Sequence, residues 1–147
     1  MHNAYKYSII YFSCFVLLLL VSALMLFVHK IGFDPTQIAH YYLGDGDLLL
    51  QKTNAGIFKL ILPHIFAFGV LSFVVIHFLI FTDYKKRSYT LMVIYILLIV
   101  QALEIFSPLL IINVSEYFSY LKLISFIVYM LFIPLIFFWL FKSILKA

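Results

Sequence analysis

Four polar side chains stand in stretches otherwise suited only to hydrocarbon: His64 and His77 in one, Gln101 and Glu104 in another. An ionisable group inside a membrane-crossing helix is expensive, and by default it marks a site. An imidazole can ligate a haem iron, with a second imidazole or a thioether on the opposite side. A carboxylate at the same depth can tune such a ligand or accept protons. With five histidines and four methionines in so apolar a chain, ligands for one iron are available from two helices.

The elements that must carry these groups are four long apolar runs, at about residues 7–29, 57–81, 89–112 and 121–145. Each meets the roughly 20 apolar residues that a spanning helix needs. The chain has 147 residues, 66% hydrophobic, 20% aromatic and 11% charged, against about 25% charged in a soluble domain. The expected fold is therefore an all-α membrane protein, a four-helix bundle in one domain over residues 1–147, with no room for a soluble catalytic domain. The net charge of +4 is dispersed over helix ends and loops, which excludes a nucleic-acid face. The single cysteine, Cys14, can form no internal disulfide.

The first long loop carries a helix of its own. Asp34-Pro35-Thr36-Gln37 reads as a helix start, with Asp34 as N-cap and Pro35 at the first helical position, and Gly44 as the stop. Ile38, Tyr41 and Tyr42 would give it an apolar, aromatic face, as in a short interfacial helix. Lys6, Lys85, Lys86, Arg87, Lys142 and Lys146 fall on one side of the bundle, while Lys30, Lys52, Lys59 and Lys122 on the other are diluted by Asp34, Asp45, Asp47 and Glu116. The positive-inside rule then puts both termini in the cytoplasm.

Helical rise places His64 and Glu104 in one layer, each roughly 10 Å below the surface on the loop-helix side. Met25 falls at a similar depth, His29 lies above it, and His77 lies in the opposite leaflet. Leu97, Gln101, Glu104 and Pro108 form one stripe by their spacing of three or four; Cys14, Leu18, Ser22, Met25 and His29 form another. Both stripes are expected to face the bundle interior. The ligand set for a haem b is then His64 with His29 or Met25, and His64 with His29 would be the core of any metal site. His77 could serve a second haem, although thirteen residues turn it about 140° from His64. The plainer reading is a buried hydrogen bond between His64 and Glu104 that holds two helices in register.

Several short motifs recur in a characteristic order: Tyr41-Tyr42-Leu43-Gly44, Lys52, His64-Ile65-Phe66 with His77 further on, and Glu104-Ile105-Phe106-Ser107-Pro108. In this the chain resembles a family of small bacterial four-helix inner-membrane proteins of uncertain function, whose histidine-bearing helix is similar to those of membrane b-type cytochromes. It departs from that family's pattern by having Leu60 to Pro63 before His64 and Phe66 two residues after it. The expectation is a small haem or electron-transfer subunit of the inner membrane, working with a quinone or a periplasmic cytochrome. The rival expectation is a non-catalytic accessory or assembly subunit, joined to other membrane subunits or to copies of itself. An oligomeric transporter component ranks third, because no half-helix repeat is present.

Overall fold

The computed structural model describes residues 3–46, 49–80, 82 and 88–146. Five helices follow in order: α1 (Asn3–Lys30), α2 (Pro35–Leu43), α3 (Asn54–Ile80), α4 (Ser88–Asn113) and α5 (Phe118–Lys146). All but α2 are long and apolar enough to cross a membrane. At 1.5 Å per residue each of the four runs to about 40 Å, more than a hydrocarbon core of roughly 30 Å, so their ends reach into the headgroup layers. The runs expected from hydropathy lie within these helices, except that the second was expected to end at Phe81, which lies outside the described residues. Large apolar side chains such as Phe66, Phe73 and Leu131 point outward, as a lipid solvent permits.

The α4–α5 pair is the most closely packed, with α3 laid against α4 and α1 against α5. The core divides into two clusters. One gathers Ile9, Val16, Val75, Leu79, Leu97, Ile133 and Leu140 toward the end that bears the chain termini. The other gathers Phe27, Ile38, Ile57, Ile61, Ile111 and Phe126 at the end that bears α2.

Helix α2 forms as its sequence dictates. Asp34 stands in extended backbone and accepts the Thr36 amide at 3.0 Å; that bond holds its carboxyl below the usual carboxylate range. Gly44 ends the helix at φ +83, and its amide donates to the His40 carbonyl at 2.9 Å. A Cβ on Gly44 would collide with the Leu49 carbonyl oxygen, because the returning loop crosses the helix end there. The buried face is Ile38, Ala39 and Tyr42, pressed against α4 and α5. Helix α2 is thus an interfacial helix that also caps the bundle.

The stripe expected on α1 does not face the interior. Cys14, Leu18, Met25 and His29 are exposed, and Ser22 satisfies its hydroxyl on its own helix, at the Leu18 carbonyl 2.8 Å away. The buried face of α1 is instead Ile9, Ser13, Val16, Leu20 and Phe27. A thioether, a thiol and a self-bonded serine cost little against lipid, so the spacing of those residues had no force to turn them inward. The Lys85–Arg87 loop, Asp47 and His2 lie outside the described residues.

Candidate functional site

Helix α4 contains Pro108, which has no backbone N–H to give the carbonyl of Glu104 one turn earlier. Two side chains take the place of the missing donor. Lys122 Nζ reaches the Glu104 carbonyl at 2.9 Å, and Ser107 Oγ reaches it at 3.1 Å. The Lys122 ammonium also forms an ion pair with the Glu104 carboxylate, and both residues are only 6% exposed. Lys122 sits one turn inside α5, on a face shared with Ser119, Phe126 and Tyr129. In sequence, a lysine so near the end of a span reads as a surface residue. The signal that could have found it is the proline four residues after Glu104, which announces an orphan carbonyl in need of a donor.

The expected stripe on α4 is buried throughout: Leu97, Gln101, Glu104 and Pro108. Gln101 accepts a hydrogen bond from Ser72 of α3, which ties α3 to α4 in the middle of the bundle. At the α2 end the amides of Asn54 and Asn113 exchange hydrogen bonds at 3.3 and 3.0 Å. Gln101 therefore serves a helix–helix contact, while Glu104 stands at the edge of an open space.

That space is a cavity of about 460 Å³ at the α2 end, walled by α1 and α3, backed by α4 and α5 and capped by Tyr41 and Tyr42 of α2. Toward the other end of the bundle α1 and α3 are joined: Tyr5 donates to the His77 carbonyl at 3.3 Å, and the rings of Tyr5 and Phe12 stand edge-on to Phe78. Around the cavity the same two helices part. The lining is mostly apolar, with Glu104, Lys122, Tyr42 and Tyr129 as its buried polar members and the exposed His64 and Lys30 toward its mouth.

Tyr129 is 2% exposed and its hydroxyl has no hydrogen-bond partner among the described residues. A buried phenol left so costs free energy comparable to a lost hydrogen bond. Phe68 lies beside it with ring centroids 4.8 Å apart, and the His64 ring stands edge-on to the same Phe68 at 5.7 Å. Both polar rings are therefore neighbours of one phenyl. His64 does not bond Glu104; its Nδ1 lies 2.6 Å from the Leu60 carbonyl on its own helix. Burial first, then the nearby Glu104 carboxylate, pushes the Tyr42 phenol up from its ordinary range.

The other expected ligands lie elsewhere. His29 lines a separate surface hollow between α1 and α2, with His40 and Asp45. Met25 is 57% exposed on α1. His77 is exposed near the far end of α3, stacked on Phe73 with centroids 6.2 Å apart. Among the described residues no three His, Cys, Asp or Glu side chains converge as a metal set. The cavity thus holds one of the expected imidazoles and the expected carboxylate, and neither His29 nor Met25 lines it. The expected ligand pairs, His64 with His29 and His64 with Met25, are not brought together.

The Tyr41-Tyr42-Leu43-Gly44 and Lys52 motifs meet at the cap. Lys52 donates to the Tyr41 carbonyl at 2.7 Å, its ammonium lies 3.7 Å from the centre of the Tyr41 ring, and its amide bonds the Tyr42 carbonyl at 2.9 Å. Desolvation pulls the Lys52 ammonium below its usual range. The lysine fastens the loop to α2 and so holds Tyr41 and Tyr42 over the cavity.

Residues 32–147 match the family model of a transmembrane helical domain, Aq_1264_TM. No curated protein and no solved structure matches the chain.

Proposed function

The chain belongs to that family of transmembrane helical domains, and from this premise we propose that it is a small subunit of a bacterial inner-membrane electron-transfer system, one that takes up a ring-bearing, lipid-soluble carrier of the quinone class in the cavity between α1 and α3. The observation that carries the reading is the unpartnered Tyr129 hydroxyl in an apolar space, with the His64 and Phe68 rings beside it. Pockets for small amphiphiles combine an apolar lining with a few convergent polar groups in this way. A flat ring can stack on Phe68 while an oxygen on it satisfies Tyr129. The ion pair of Glu104 and Lys122 is internally neutral, which suits an uncharged head. The α2 end faces the periplasm in this reading, as the lysine bias implies.

The test is whether the protein carries such a molecule. The full chain, released from membranes with its lipids, should show one bound lipid-soluble ring compound per protein by native mass spectrometry. Ala67→Trp, which fills the cavity from α3, should lose it. A wild-type protein without that compound, or one whose occupancy is indifferent to Ala67→Trp, refutes the reading. An absorption spectrum of the same preparation reads the haem b alternative: a reduced-minus-oxidised signal abolished by His64→Ala would replace the quinone proposal with haem ligation.

The accessory-subunit reading has its own support, since Gln101 with Ser72 and Glu104 with Lys122 spend their polar atoms on helix–helix contacts. Under it Ala67→Trp leaves assembly with partner subunits intact, while disruption of those polar pairs does not.

A further inference from the structure

The donors and acceptors around the cavity allow one step more, which rests on the quinone-class reading. The Leu60 carbonyl, 2.6 Å from His64 Nδ1, can only accept, so Nδ1 carries the proton of the imidazole. In the neutral ring Nε2 is then an acceptor and has no proton to give. Tyr129, which also neighbours Phe68, has a hydroxyl proton with no acceptor among the described residues. Lys122 is already engaged by the carboxylate and the carbonyl of Glu104. A ring lying against Phe68 therefore meets an acceptor toward His64 and an unspent donor toward Tyr129.

We propose that this cavity selects the reduced hydroquinone over the oxidised quinone. Both oxygens of a quinone only accept, so it satisfies Tyr129 and leaves Nε2 of His64 facing a like lone pair. A hydroquinone gives one O–H to Nε2 and accepts the Tyr129 proton on its other oxygen, whose own O–H is left to the Glu104 carboxylate, the acceptor in the same lining. The discrimination resides in the tautomer of His64, which the Leu60 carbonyl fixes from within α3. Pairs of this kind discriminate strongly because a mismatched ligand leaves a polar group unsatisfied in an apolar site.

The experiment is calorimetric titration of the full chain in phospholipid nanodiscs with decylubiquinone and, under anaerobic conditions, decylubiquinol. The hydroquinone should bind at least tenfold more tightly. His64→Phe, which keeps an aromatic ring and removes the acceptor, should bring the two forms within about twofold of each other, whereas Tyr129→Phe should weaken both. Equal wild-type affinities, or a preference that survives His64→Phe, overturns the selectivity. Failure of both forms to bind overturns the quinone-class reading itself. Nitrogen shifts of the His64 ring give a readout independent of affinity: protonation at Nδ1 is expected, and protonation at Nε2 in the free protein defeats the inference.

Discussion

Replacing Lys122 by methionine tests the polar centre most directly. The substitution keeps an unbranched side chain one atom shorter and removes the ammonium, leaving the Glu104 carboxylate buried without its partner and the Glu104 carbonyl, already deprived of a donor by Pro108, with only Ser107. Removing one member of a buried pair costs about 3–5 kcal/mol. Lys122 lies only one turn into α5, and the unfolded chain in a membrane also finds polar partners, so about 3 kcal/mol is expected here. That is roughly a hundredfold in the folded-to-unfolded ratio. Glu104→Leu should cost a similar amount, by stranding the ammonium. The double variant Glu104→Leu/Lys122→Met should recover most of the loss, because two apolar groups of similar size replace a pair whose desolvation largely offset its attraction. The assay is a double-mutant cycle by detergent titration in mixed micelles, followed by far-ultraviolet circular dichroism. Single variants as stable as the wild type, or losses that simply add in the double variant, would refute the assignment of this pair as a buried, coupled unit.

Gly44→Ala should lose about 1–3 kcal/mol from its positive φ alone, and more from the collision with Leu49; hydrogen exchange should show α2 losing protection before the long helices do. Ser72→Ala should cost about 1–3 kcal/mol by leaving Gln101 unpaired, and Ser72→Ala/Gln101→Leu should return most of it in the same titration. Asp34 has its folded pKa depressed, so its contribution to α2 is present above the ordinary carboxylate range and is lost as pH falls through the folded value. Protection of the α2 amides should fall on acidification in the wild type, and Asp34→Asn should abolish that dependence.

The parts of this molecule governed by local rules were legible in its sequence. Asp34, Pro35 and Gly44 specify α2 by capping chemistry, and the structure places all three in those roles. The inward stripe on α4 was legible because Gln101 and Glu104 cannot face lipid without cost. The stripe on α1 was not, because lipid accepts Met25 and Cys14 as readily as a protein core does, so their period carries no direction. Lys122 was hidden for a related reason. A lysine near the end of a span reads as an anchor to the headgroups, and only the orphan carbonyl on another helix draws it inward. The partition of His29 and His64 into separate hollows depends on where α2 folds over the bundle, which no depth along a single helix reveals.

The parting of α1 from α3 decides how the cavity is closed. The second to fifth helices carry their own contacts through α4 and α5, whereas one wall of the cavity is supplied by α1 alone. Without α1 on α5, where Phe27 stacks against Phe126 at 3.8 Å, the polar centre would lie open on one side. A molecule resting there would be enclosed by the seating of α1, and by mass action its affinity would add to the strength of that docking. On the proposed function, occupancy of the cavity and the seating of α1 would then rise and fall together.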